Sequence, residues 1–151
     1  MTLKQRVPFL RWSFWRLAIG ARNITKTGEI GDGREAAAAD YVVANARRGD
    51  IDDVIAKVDQ FAYEKSFLIN VGDEKGELLD AAVRRANAGV ALELGTYCGY
   101  GSLRIARAAP SAKCSRSSSR PPTPKWRGVF GRTPASMTGS RVWSGRSATA
   151  A

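Results

Sequence analysis

Histidine is absent from this 151-residue chain, which excludes a His-containing catalytic triad and a His-ligated zinc site. Cysteine is scarce. Cys98 and Cys114 are the only two, too few for a disulfide framework and suited to a reduced, cytoplasmic protein. No apolar run approaches the roughly 20 residues that a membrane-spanning helix needs, so a spanning protein is excluded as well. Acid is missing from one end of the chain. All 14 Asp and Glu fall within residues 1–110 beside 16 Lys and Arg, whereas 111–151 carry eight basic residues and no acid. The net charge of +10 thus belongs to a segment rich in Ser, Pro, Gly and Thr, without apolar periodicity. Two kinds of sequence meet near Lys113, and the chain divides into 1–33, 34–113 and 114–151.

Residues 1–33 form a basic, aromatic arm. On a helix, Leu10, Phe14, Leu17 and Ala21 line one stripe with Arg11, Arg16 and Arg22 beside it. That pattern suits a membrane surface or a partner, although Trp12 and Trp15 lie nearer the far face and favour ordinary packing or a loose arm. Arg11 and Arg16 interrupt any signal-peptide core. Beyond the turn-rich 25–33, a helix is expected over 34–47, ended by Gly49. Asp50 can cap the next helix, with Asp53 completing a capping box in place of Glu. Val54, Ile55, Val58, Phe61 and Ala62 then give that helix a core-facing stripe. After a loop at 70–73, a helix from about Glu74 presents Leu78, Leu79, Ala82, Val83 and Ala86 on one side and ends at Asn87 and Gly89. Val90 to Leu94 reads as a buried parallel strand. A glycine turn and a helix over 102–109, stopped by Pro110, follow it.

The informative stretch is Glu93-Leu94-Gly95-Thr96-Tyr97-Cys98-Gly99-Tyr100-Gly101-Ser102. An acid closes the strand, and three glycines let the backbone approach a nucleotide-like ligand at the strand's carboxyl end. The spacing matches neither the dinucleotide G-x-G-x-x-G nor a phosphate-binding P-loop. By pattern alone a tight strand-to-helix connection explains it equally well. Cys98, with no His or evident cation to activate it, reads as a buried structural thiol.

Taken with Ser66-Phe67-Leu68-Ile69-Asn70-Val71-Gly72-Asp73-Glu74-Lys75-Gly76 upstream, the stretch Leu92 to Tyr100 closely resembles the catechol O-methyltransferase family. These are class I, S-adenosylmethionine-dependent enzymes with a Rossmann-like α/β sheet. The resemblance implies that Val71 and its neighbours in the loop at 70–73 contact the methionine part of the cofactor and that Glu93 binds its ammonium. Gly95, Tyr97, Gly101 and Ser102 would line the rest. Gly101 stands where the family often has Ser, and Ser102 is the nearest substitute hydroxyl. Phe67 and Ile69 match positions flanking the catechol ring, where Trp and Met are familiar; plain core packing is the alternative for both.

The resemblance also implies a second strand ending in a ribose-binding acid, then magnesium ligands and a catalytic lysine. None is found after Lys113, so no catalytic or metal-ligating residue is assigned and the chain reads as an inactive, truncated part of the fold. Shifting the codons of the tail by one base permits, from Cys114 to Trp126, Phe-Ser-Val-Glu-Phe-Ser-Ala-Ala-Asn-Ala-Glu-Val, an apolar strand closed by Glu. Some positions are nearly fixed: Met137-Thr138 must give Asp. One lost base near the Lys113 codon would produce this tail.

The reading is thus an α/β chain holding the N-terminal portion of a Rossmann-like methyltransferase, with an incomplete sheet and a disordered basic tail. With a single, unpaired strand, its helices are expected to collapse loosely. The implied substrate is a small catechol-like molecule, with S-adenosylmethionine as cofactor and Mg2+ in the intact family. No specific nucleic-acid partner is expected, and a weak membrane contact through 1–33 is a secondary expectation. The alternative function is a basic tail that binds nucleic acid or anionic membrane.

Overall fold

A computed structural model describes residues 7–27 and 30–117; the disordered tail expected beyond them lies outside the described residues. After a short 3-10 turn at Pro8–Leu10 come α1 (Trp12–Thr27), α2 (Arg34–Asn45), α3 (Ile51–Glu64) and α4 (Gly72–Ala86). Strand β1 (Val90–Leu94), helix α5 (Tyr100–Ala108) and strand β2 (Lys113–Ser117) complete the order. The two strands pair in parallel, with Val90 opposite Lys113 and Leu94 opposite Ser117. The crossover through α5 supplies the connection that a parallel pair requires. The expectation of a single unpaired strand is therefore corrected, because the first residues past Lys113 supply a partner ladder.

Most helix boundaries follow local chemistry. Asp50 caps α3 by accepting from the Asp53 amide at 3.0 Å. The expected box does not close: the Asp53 carboxylate instead accepts from the Arg47 amide at 2.7 Å, and Arg47 also pairs with Asp50 at 2.8 Å. That capture explains why α2 ends at Asn45 rather than at Arg47. Asn87, left-handed at φ 44°, closes α4 as expected. Val54, Ile55, Val58 and Phe61 of α3 meet Ala38, Ala39 and Val42 of α2, and Leu103 and Ala106 of α5, in one core that also buries Leu68, Cys98 and Tyr100. Helices α2, α3 and α5 thus share a packed centre, in place of a loose collapse.

Two expectations are overturned. The apolar side of α4 does not face the core. Leu78 is 72% exposed, and the buried residues of this helix are Gly76 and Asp80. The Asp80 carboxylate receives Arg104 of α5 at 2.8 Å and also Arg107, so an ion pair rather than leucine packing sets which side of α4 turns inward. Gly76 makes the contact possible, since a Cβ there would lie 2.7 Å from the Arg104 Nη1. Likewise β1 is not buried on both faces. Ala91 and Glu93 turn inward, while Val90, Leu92 and Leu94 face outward and are exposed, Leu94 by 75%.

Candidate functional site

The carboxyl end of β1 opens into a turn whose backbone is left-handed at three places: Gly95 at φ 79°, Tyr97 at 43° and Gly99 at 73°. Glycine adopts this region freely, whereas Tyr97 is strained there by about 1–3 kcal/mol. Two contacts hold the turn. The Gly99 amide donates to the Thr96 carbonyl at 2.6 Å, and the Tyr97 hydroxyl donates to Glu35 of α2 at 3.1 Å. Burial, then the neighbouring Cys98 and Glu35, push the Tyr97 phenol well above its ordinary range, so it stays a neutral donor.

Glu93 ends the inward face of β1 and meets the first turn of α5. Its carboxylate accepts from the Ser102 amide at 3.1 Å and from the Ser102 hydroxyl. Gly101 lies against it, and any Cβ there would collide with Oε1. Helix α5 therefore begins with its amide end on a carboxylate, the favoured sign for a helix N-terminus. Ser102 is fully buried and stands behind Glu93.

In front of Glu93 is a cavity of about 150 Å³ lined by Ile69, Asn70, Val71, Glu93, Gly95, Thr96, Tyr97, Cys98, Tyr100 and Gly101. Of the residues singled out in the sequence, Ile69, Val71, Glu93, Gly95, Tyr97 and Gly101 come together here. Ser102 and Phe67 do not line it. The Phe67 ring meets Phe14 of α1 edge-on at 5.8 Å, and its amide donates to the Ser13 hydroxyl at 3.1 Å. Arg34 fastens the same place, donating to the carbonyls of Phe67 at 2.6 Å and Ser13 at 3.0 Å. The loop bearing Ile69 to Val71 is thus held from behind by α1 and α2. Cys98 is buried, in keeping with a structural thiol.

Two polar atoms of this cavity's lining are buried without a hydrogen-bond partner among the described residues: Asn70 Nδ2 and Thr96 Oγ1. Such atoms cost about 1–3 kcal/mol each unless something satisfies them. Beside a carboxylate they make a set of one acceptor and two donors, suited to the ammonium and carboxylate of an amino acid. The volume falls below the about 300–1,000 Å³ of whole small-molecule sites, so the described part of the site accommodates an end of a larger ligand. Thr96 and Glu35 escaped the sequence reading. Thr96 is inside the motif and its hydroxyl was the available signal; Glu35 is 62 residues from Tyr97 and had none. Among the described residues no cluster of His, Cys, Asp or Glu is arranged to hold a metal ion, and no helix is long and apolar enough to cross a membrane.

No protein-family model matches the chain, but curated relatives do. A probable O-methyltransferase of Mycobacterium tuberculosis is 74% identical over 97 residues, 64% of this chain and 42% of that one. Catechol O-methyltransferase B of Danio rerio is 49% identical over 69 residues, and catechol O-methyltransferase of Mus musculus 41% over 70. Each of these two alignments covers 46% of this chain and 26% of the relative. The matched part spans less than half the length of these relatives. The resemblance to O-methyltransferases of catechol type, drawn from residues 66–100, is shown by these identities. The alternative of a basic polyanion-binding protein finds no support in them.

Proposed function

We propose that this chain carries the cofactor-binding part of a catechol-type O-methyltransferase that uses S-adenosylmethionine. The observation that supports this most is the placement of buried, unpartnered Asn70 Nδ2 and Thr96 Oγ1 in the cavity that Glu93 also lines. In this reading Glu93 accepts the cofactor's ammonium, and Asn70 and Thr96 donate to its carboxylate. Gly95 and Tyr97 shape the floor, Val71 and Ile69 supply an apolar wall, and Gly101 and Ser102 fix Glu93 from behind. When bound, S-adenosylmethionine supplies a methyl group activated on a sulfonium, ready for in-line transfer to an oxygen. The chain's own residues contribute position: one end of the cofactor is anchored, and the other is left to face substrate. Phe67 supports the loop that carries Ile69, and any contact it makes with an aromatic diol would follow from that placement. The described residues offer no donor set for magnesium, so no step is assigned to it. Two buried cysteines that form no disulfide fit a cytoplasmic site of action.

The reading includes a lost base near the Lys113 codon. Resequencing that codon and restoring one base gives the comparison that tests the whole. With a catechol, magnesium and labelled S-adenosylmethionine, the chain as given should transfer no methyl group and the restored chain should turn over. A restored chain that binds the cofactor but methylates no catechol would overturn the substrate class, and one that binds no cofactor would overturn the reading itself.

A further inference from the structure

Helix α1 is split lengthwise. Ser13, Phe14, Leu17 and Gly20 turn inward and are half-buried. Ser13 and Phe14 hold the Phe67 loop, and Gly20 fits against Ile30, whose Cγ2 would be 2.9 Å from a Cβ there. The opposite side carries Trp12, Trp15 and Ile19 at the i, i+3, i+7 spacing of one helix face, exposed by 73%, 53% and 77%. Phe9 and Leu10, 61% and 50% exposed, extend this patch through the preceding turn, and Trp15 Nε1 donates back to the Phe9 carbonyl at 3.0 Å. The Phe14 and Leu17 side docks on the protein, as ordinary packing of that stripe requires, and the tryptophan side is presented outward.

We propose that this face binds the surface of an anionic phospholipid membrane. Five large apolar side chains side by side are more than a scattered surface needs and mark an interaction site. Their kind and surroundings select the occupant. Tryptophan, with an apolar body and one polar N–H, concentrates at the lipid–water boundary. Residues 1–33 contain six Lys or Arg against Glu29 and Asp32, a net positive charge of the sign that anionic headgroups attract, with Arg11 buried and Arg16 paired with Asp32 at 3.3 Å. Arg16, half-exposed, lies within the tryptophan face one turn from Trp12 and from Ile19. The proposal does not depend on the methyltransferase reading. It would place the Ile69–Val71 loop, fastened to the inner side of α1, close to the membrane.

The test uses the full chain carrying Trp126→Phe and Trp143→Phe, so that Trp12 and Trp15 alone fluoresce. Vesicles of phosphatidylcholine with phosphatidylglycerol, with and without bromine in the acyl chains, are the probe. The expected result is flotation with the vesicles, a blue-shifted emission, and quenching by the brominated chains. Trp12→Ser, Trp15→Ser and Ile19→Ser together should weaken partitioning by about tenfold or more while leaving helicity by circular dichroism unchanged. Three results would overturn the proposal: no flotation; flotation without quenching, which assigns the adsorption to the basic tail; or self-association in sedimentation that the triple variant abolishes, which makes the face a contact between copies.

Discussion

Replacing Gly101 by alanine probes the candidate site with the smallest chemical change available. The added Cβ would overlap Glu93 Oε1 and lie 3.3 Å from its Cδ. The obstacle is a side chain held on both oxygens, by the amide and the hydroxyl of Ser102, so it cannot swing aside freely. Hydrogen bonds to a charged group contribute about 1.5–3 kcal/mol. Giving up one of the two, and moving the carboxylate off the line of the ammonium, should cost about 1.5–2 kcal/mol of ligand binding, or about 10–30-fold in Kd. Ser102→Ala removes only the hydroxyl and leaves the amide donor, for about 1 kcal/mol, or about fivefold. The double variant Gly101→Ser with Ser102→Ala moves the hydroxyl to the family's position but keeps the collision, so it should bind more weakly than Ser102→Ala alone. Titration calorimetry of S-adenosylhomocysteine on the full chain reads all three, with circular dichroism to show equal folding. Unchanged affinity in Gly101→Ala would refute the claim that Glu93 is clamped against that turn.

The ion pair that docks α4 should matter for stability. Asp80→Ala leaves Arg104, 3% exposed, without its carboxylate, and should cost about 3–5 kcal/mol; an unchanged urea midpoint would contradict the assignment of α4 docking to this pair. Asp59 gives a pH dependence of definite sign. Burial raises its carboxyl to about 6 against the hydrogen bond from Tyr100, with repulsion from Asp73 adding and Arg104 and Arg107 subtracting. The folded carboxyl binds its proton more tightly than the unfolded one, so this group's destabilisation is complete above pH 6 and is relieved as pH falls toward the ordinary carboxylate value. Asp59→Asn should therefore raise the urea midpoint at pH 7 and remove stability gained between about pH 6 and 4 in the parent. A variant with the same pH slope as the parent would refute it.

How much of this was legible depended on whether the determining partner was near in sequence. The Asp50 cap, the α3 stripe and the Asn87 stop are fixed within a turn of themselves, and each stands where local rules put it. The glycine turn was legible for the same reason, because Gly95 and Gly99 are needed for backbone dihedrals whatever surrounds them. Helix α4 was misread because periodicity reports which side is apolar, and burial went to the other side. Asp80 is 24 residues from Arg104, and nothing near Asp80 announces that a guanidinium will arrive over Gly76. The outward face of β1 was misread on similar grounds: an apolar run marks what could be buried, and among the described residues nothing covers Val90, Leu92 and Leu94. At the site, Glu93 was readable from its position at a strand end. The orphan donors Asn70 and Thr96 could be recognised only once the loop and the turn were seen to share a cavity.

The exposed face of β1 and the proposed lost base near the Lys113 codon bear on one another. Strand β2 ends at Ser117, opposite Leu94, the last residue before the Gly95 turn. In the base-shifted reading the codons from Cys114 onward permit Phe, Ser, Val and Glu, so the acid that closes the strand takes the last base of the Ser117 codon and the first two of the Ser118 codon. The strand end fixed by backbone pairing and the strand end implied by the shifted codons lie within one residue of each other, although neither argument uses the other. The shifted strand also alternates Phe, Ser, Val as a sheet with one buried face requires, whereas the present Cys-Ser-Arg offers Cys114 as its one apolar side chain. A sheet built on that stronger strand would have the apolar side chains with which to draw cover over Leu92 and Leu94. The present two-strand sheet lacks them, and its outer face stays bare.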